Sequence, residues 1–195
     1  MGGTVSPIRD LEVRPTDLDG CWVLRMKEAG DERGTVREFY RRSALAGLGI
    51  GVPTHLAQVN ATRSGYGALR GIHAEAITKV VMLAWGTATS VIVDLRPESP
   101  TAGRPVRIDM LPGDGLVLAP GLGNSFQTTS REGSLYLYGF DEEWRPGMPG
   151  RAATPLDPAL AAAGIHWPVP VDAADRSRIS HKDATAPTIA ACLAG

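Results

Sequence analysis

Gln58-Val59-Asn60-Ala61-Thr62-Arg63-Ser64-Gly65-Tyr66-Gly67-Ala68-Leu69-Arg70-Gly71-Ile72-His73-Ala74-Glu75-Ala76-Ile77-Thr78-Lys79 is the stretch that decides the fold. Leu56, Gln58 and Asn60 alternate with Ala57, Val59 and Ala61, the period of two that sends neighbouring side chains to opposite faces of a strand. Gly65 and Gly67 bracket a turn, and Arg70, Gly71 and His73 follow on an extended segment. Lys79 then opens an apolar run, Val80-Val81-Met82-Leu83-Ala84-Trp85, which Gly86 closes. If Asn60, Arg70, His73 and Lys79 share one face, they form a polar, cationic cluster holding a single titratable base. Such a cluster suits proton abstraction from an anionic substrate.

The rest of the chain agrees with a β-rich reading. At 195 residues it is long enough for one domain with a sizeable core, spanning 1–195, with an N-terminal arm to about residue 20. The 23 glycines and 15 prolines separate short apolar runs, the signature of many strands joined by turns. A net charge of −1 gives no general attraction to nucleic acid or to an anionic membrane, so anion binding must come from locally placed Arg and Lys. No apolar stretch is long enough to span a bilayer, and residues 1–5 lack a secretory pattern. Cys21 and Cys192 sit near opposite ends with no metal-like spacing. A reducing, cytoplasmic setting is therefore expected.

Strands are expected at Cys21–Leu24, Thr35–Tyr40, Val80–Trp85, Ser90–Leu95, Arg107–Met110 and Gly115–Ala119. Ser134–Phe140 alternates cleanly, with Tyr136 and Tyr138 on one face. Residues 41–56 read as a short helix or loop. From about Asp141 to the end at Gly195 the chain is rich in Pro and Gly and reads as a wrapping segment. Tyr66 and Trp85 read as packing residues.

Gln58-x-Asn60, then Leu69-Arg70-Gly71-Ile72-His73, then Lys79 opening the next strand, resembles the dTDP-4-dehydrorhamnose 3,5-epimerase family. Further ordered matches are Asp31-x-Arg33-Gly34, Asp94-x-Arg96 with Ser99-Pro100-Thr101, Trp144-Arg145-Pro146, and Ser180-x-Lys182-Asp183. The resemblance covers about residues 20–188. It implies an all-β, double-stranded β-helix jelly roll of the cupin class, with short helices and extended terminal arms. It also implies a cofactor-independent, metal-free isomerase acting on a nucleotide-diphosphate sugar, with a dTDP-linked one expected.

A ketone at carbon 4 of a sugar acidifies the hydrogens on carbons 3 and 5, so inversion needs a base, an opposing acid and a group that holds the enolate oxygen. By resemblance, His73 is the base, Asp183 its carboxylate partner, Tyr138 the acid and Lys79 the oxyanion group. Arg33 and Arg70 would clamp the diphosphate, and Glu38, Gln58, Asn60, Asn124, Trp144 and Lys182 would contact nucleotide or sugar. Asp183 could instead cap a C-terminal helix, and Glu75 could tune His73 or face water. The chain departs from the family in a shortened His73–Lys79 interval, in Asn124 where a second histidine is usual, and in Trp144 for a tyrosine. Inversion at only one of the two carbons is one expected consequence. The rivals are a metal-dependent cupin, a ketoisomerase, and a non-catalytic sugar-nucleotide-binding protein. Family resemblance further implies a homodimer whose N-terminal strands cross to the partner sheet.

Overall fold

The computed structural model describes residues 6–195, so the first five residues of the expected N-terminal arm lie outside it. Fourteen strands and four short helices follow in order. The early strands are β1 (Ser6–Arg9), β2 (Glu12–Pro15), β3 (Cys21–Arg25), β4 (Glu28–Asp31) and β5 (Gly34–Arg37), and then comes helix α1 (Arg42–Ala46). The central strands are β6 (Gln58–Ser64), β7 (Leu69–Glu75), β8 (Lys79–Trp85) and β9 (Ala88–Asp94). They are followed by β10 (Pro105–Met110), β11 (Asp114–Leu118), β12 (Leu122–Thr128) and β13 (Ser134–Phe140). The chain ends with β14 (Gly150–Ala152) and helices α2 (Pro158–Ala162), α3 (His181–Ala184) and α4 (Ile189–Ala194).

Two antiparallel sheets build a jelly roll. One runs β2-β3-β11-β8-β13-β6 and the other β10-β9-β12-β7-β14, while β1-β4-β5 form a small third sheet. Val81, Leu83, Leu116 and Leu118 of the first sheet pack against Ile92 and Phe126 of the second, in the core that the two sheets share. Both outer faces are also covered. Ile72, Val91 and Val93 lie under Leu160, Ile165 and Ile189 of the C-terminal segment. Val80, Met82 and Val117 lie under Leu45 and the loops around α1. This double covering explains why β9 is buried at every position and shows no alternation of apolar and polar residues.

Three local readings change. The run after Pro120 forms strand β12 although its period is obscured by polar residues. Gln127 accounts for part of this: fully buried, it donates to Val169 O at 2.8 Å and accepts from Val169 N at 2.9 Å, stitching the C-terminal segment to the sheet. Tyr66 and Trp85, expected to pack, are 37% and 46% exposed, with Arg131 lying over the Tyr66 ring. The first part of the polar arm is strand rather than loose chain, because β2 pairs with β3 and β1 with β4.

The pairing of β12 with β7 is irregular. Asn124 opposes His73 and Phe126 opposes Arg70, so two steps on β12 span three on β7. The extra residue is a bulge, and it turns Arg70 to the same inner face as His73, whereas unbroken alternation would separate them. Gly71 sits in the bulge at φ +100°, and a Cβ there would lie 2.4 Å from Asn124 O and 2.7 Å from Ser125 Cα. Gly71→Ala should therefore destabilise the fold by at least about 1–3 kcal/mol from backbone conformation alone. Denaturant unfolding of the variant, read as a lower midpoint at unchanged slope, checks this.

Candidate active site

Alternation brings the chemistry-bearing residues together from two sheets. On β7, Ile72 and Ala74 pack outward into the C-terminal cluster, which leaves Arg70, His73 and Glu75 facing inward. On β13, Tyr136, Tyr138 and Phe140 face inward, and register sets Tyr138 opposite Asn60 and Phe140 opposite both Gln58 and Lys79. The expected cluster thus exists, but not on one face: Asn60 and Lys79 look across the sandwich at Arg70 and His73. Between them lies a cavity of about 180 Å³ lined by Arg70, His73, Lys79, Asn124, Tyr138 and Asp183. It opens into an outer cavity of about 680 Å³ that shares His73, Glu75 and Tyr138 and adds Gln58, Asn60, Trp144 and Lys182.

His73 Nε2 lies 2.8 Å from Asp183 Oδ1. An ionised carboxylate can only accept, so Nε2 carries the hydrogen and Nδ1 keeps the lone pair. Asp183 is held from three directions. Ser180, not Asp183, caps α3, its hydroxyl oxygen accepting from Asp183 N at 3.0 Å. The Gly71 N–H donates to Asp183 Oδ2 at 3.4 Å, a contact that the bulge makes possible. Burial pushes the Asp183 carboxyl up, but the bonds from His73, Ser180 and Gly71 outweigh it and hold the group below the ordinary carboxylate range.

Lys79 is almost fully enclosed. Its Nζ donates to His73 O at 2.8 Å and pairs with Glu75 Oε2. Burial lowers its proton affinity, and the Glu75 charge opposes that effect. Glu75 therefore neither touches the His73 ring nor simply faces water. Tyr136 is buried behind the cavity, stacked on Phe126 at 4.1 Å between centroids, and its hydroxyl donates to Asn124 Oδ1 at 3.4 Å. Burial pushes its phenol up to about 12. Among the described residues, no group of three His, Cys, Asp or Glu side chains is disposed to hold a metal ion.

The family model described as dTDP-4-dehydrorhamnose 3,5-epimerase matches residues 15–191. The chain belongs to the dTDP-4-dehydrorhamnose 3,5-epimerase family. A dTDP-4-dehydrorhamnose 3,5-epimerase of Streptomyces griseus is 33% identical over 184 residues, covering 91% of this chain and 86% of the relative. Among solved structures, a dTDP-6-deoxy-D-glucose-3,5-epimerase from Legionella pneumophila in complex with dTDP-4-keto-L-rhamnose is similar at a TM-score of 0.79 and 28% identity. That alignment covers 93% of this chain and 94% of the other. A 3'-monoepimerase from Streptomyces bikiniensis in complex with dTDP-quinovose gives 0.76 at 31% identity, with 90% and 87% covered. This family member is accordingly an isomerase with the jelly-roll fold expected of it.

Not every expected residue of this epimerase-family chain reaches the cavity. Arg33 sits on the β4–β5 turn, its side chain 89% exposed and bonded to its own Asp31. Glu38 pairs with Arg41 at 2.8 Å instead. Gln58 serves two neighbours, donating to Asn60 Oδ1 at 3.1 Å and accepting from Trp144 N at 2.8 Å, and so fixes the aromatic at the outer rim. Arg70 donates to Ser64 Oγ at 2.9 Å. Thr62, Phe126, Tyr136 and Phe140 also line the inner cavity and were not singled out as site residues. The alternation of β6 and β13 already places Thr62, Tyr136 and Phe140 on the inner face, whereas Phe126 lies on β12, whose alternation is obscured.

The depressed Asp183 carboxyl fixes the sign of a pH effect. A group whose native proton affinity is lowered stabilises the fold above its unfolded value and loses that contribution as pH falls through the native one. Asp183→Asn should unfold at lower denaturant than the parent near neutrality, and the gap should close as pH drops below the carboxylate range. Urea midpoints across that pH series test it.

Proposed function

We propose that the chain is a cofactor-independent epimerase of a nucleotide-linked 4-keto-6-deoxy sugar, inverting carbon 3, carbon 5 or both through an enolate. The observation that carries this reading is a carboxylate-bound imidazole and a phenol lining one cavity, with a buried ammonium beside them. The substrate ketone itself acidifies the hydrogens, so the protein needs only to move protons and hold charge.

His73 Nδ1 takes the proton from the carbon next to the ketone, and Asp183 stabilises the imidazolium that forms. Lys79 faces the developing oxyanion. Tyr138 returns a proton to the opposite face; a phenol is protonated at neutral pH yet acidic enough to supply an enolate. Arg70 at the inner cavity is placed for a phosphate oxygen, while Gln58, Asn60, Trp144 and Lys182 at the outer cavity suit the nucleoside. A dTDP-linked sugar is the expected substrate, since the similar structures from Legionella pneumophila and Streptomyces bikiniensis are complexes with such sugars.

The functional unit in this reading is a homodimer in the cytoplasm. Arg33 and Glu38 lie away from the cavity of their own chain, and β2 and β6 leave sheet edges that a second copy can cover. On this basis Arg33 would serve a cavity of the partner copy.

Incubation with dTDP-4-dehydro-6-deoxyglucose in deuterium oxide, followed by NMR, tests the mechanism. His73→Ala should abolish deuterium entry at carbons 3 and 5, and Asp183→Asn should slow it by roughly 10⁴-fold if the dyad works as in hydrolytic triads. Tyr138→Phe should leave exchange while impairing inversion. Full deuterium entry in His73→Ala would remove the basis of the reading.

A further inference from the structure

We propose that Glu75 is a positioning residue of the reaction: its carboxylate keeps the Lys79 ammonium charged and aimed at the cavity. This rests on the epimerase reading above and assigns a part to a residue outside the base, its partner carboxylate and the acid.

The contacts around Lys79 leave this task to Glu75. The Lys79 side chain is 6% exposed, so water cannot solvate its charge. It lines the inner cavity and has two partners among the described residues, His73 O and Glu75 Oε2. That carboxylate oxygen is itself buried and makes no other hydrogen bond, so its compensation also comes from Lys79. The remaining charged or titratable groups nearby are engaged elsewhere. Asp183 on α3 bonds His73 on β7, and Asp141 after β13 accepts from Thr78 N at 3.0 Å. Arg70 on β7 bonds Ser64, Tyr136 on β13 bonds Asn124, and Tyr138 on β13 lines the same cavity without touching the ammonium.

A buried ion pair is a weak source of stability, since well-packed apolar groups often do as well. What it supplies here is a fixed cation. Glu75 and Lys79 stand at either end of the short β7–β8 crossover, and the His73 carbonyl gives Lys79 a second anchor on the strand that carries the base. Ammonium and imidazole are thereby held to one backbone frame. The ion pair opposes the loss of proton affinity that burial imposes on Lys79, and an ammonium held in place before substrate arrives is the preorganisation an enolate oxygen requires.

Two readouts test the assignment. Lysine carrying carbon-13 at Cε reports the Lys79 titration by NMR without any substrate. In the parent protein Lys79 should stay protonated through neutral pH, and in Glu75→Gln its titration should move to lower pH, with Glu75→Asp lying between. The second readout is the pH profile of deuterium entry into dTDP-4-dehydro-6-deoxyglucose. In Glu75→Gln the alkaline limb should move down, and above it the rate should approach the roughly 100-fold loss expected for removing one oxyanion donor, as in Lys79→Met. An unmoved Lys79 titration in Glu75→Gln, or a neutral Lys79 in the parent at neutral pH, overturns the proposal whether or not the protein is active. A moved titration with an unmoved alkaline limb overturns the role in the reaction. Absence of deuterium entry in the parent instead refutes the epimerase reading, and the titration then decides the Glu75 contact alone.

Discussion

The constraint on which this site depends is the mismatch between β7 and β12, three residues of one strand set against two of the other. In an unbroken strand Arg70 and His73 point to opposite faces, and one of them would enter the C-terminal hydrophobic cluster. The bulge returns both to the cavity. It also exposes the Gly71 N–H to Asp183, which comes from 112 positions later in the chain. One local irregularity thus sets Arg70 and His73 on the same cavity and gives Asp183 a backbone donor beside its imidazole partner. Only glycine fits there, because the neighbouring strand backbone occupies the space a Cβ would need.

The buried charges divide into those that hold the scaffold and those that face the cavity. Asp94 is fully enclosed and satisfied by Arg96, Ser99 and Thr101, with Arg96 also reaching Asp19 O. Burial alone would raise its carboxyl, and these donors hold it well below the ordinary range. This cluster fixes the loop after β9, and neither Asp94 nor Arg96 lines the inner or outer cavity. Asp183 and Lys79 are buried for a different reason: each is held by two residues of β7, Asp183 by Gly71 and His73 and Lys79 by His73 and Glu75, and each has one side on the cavity.

Much of this was legible in the sequence, and the reason lies in periodicity. The alternation of Gln58, Asn60 and Thr62, and of Tyr136, Tyr138 and Phe140, already marks the inward residues of two strands. The ordered motifs then join His73 to Asp183 across a separation that no local pattern can bridge. β12 was hidden because its inward face carries Asn124 at the cavity and its neighbours bury Ser125, Gln127 and Thr128, so apolar alternation is lost. The Glu75 contact was hidden for another reason. Four positions separate it from Lys79, a helical spacing, yet they meet because the chain turns between two sheets. Arg33 and Glu38 mark the remaining gap, since a motif match fixes a residue type but not the chain whose cavity it enters.

Asn124 sharpens the division of chemical labour. The family usually carries a histidine at this position, directly across the β12–β7 ladder from His73. An amide neither takes up nor releases a proton in the neutral range, so this chain keeps one imidazole in the cavity rather than two. Tyr136 donates to the Asn124 carbonyl oxygen and is itself kept protonated by burial, which fixes the amide and withdraws that phenol from proton transfer. In the proposed reaction, acid–base work therefore falls to His73 on one sheet and Tyr138 on the other. Under that proposal, with a single base and a single acid on opposite walls, which carbon is inverted would depend on how the sugar ring sits between them. The side chains that would set that pose are Arg70 and Asn124 at the inner cavity and the Gln58–Trp144 rim at the outer one.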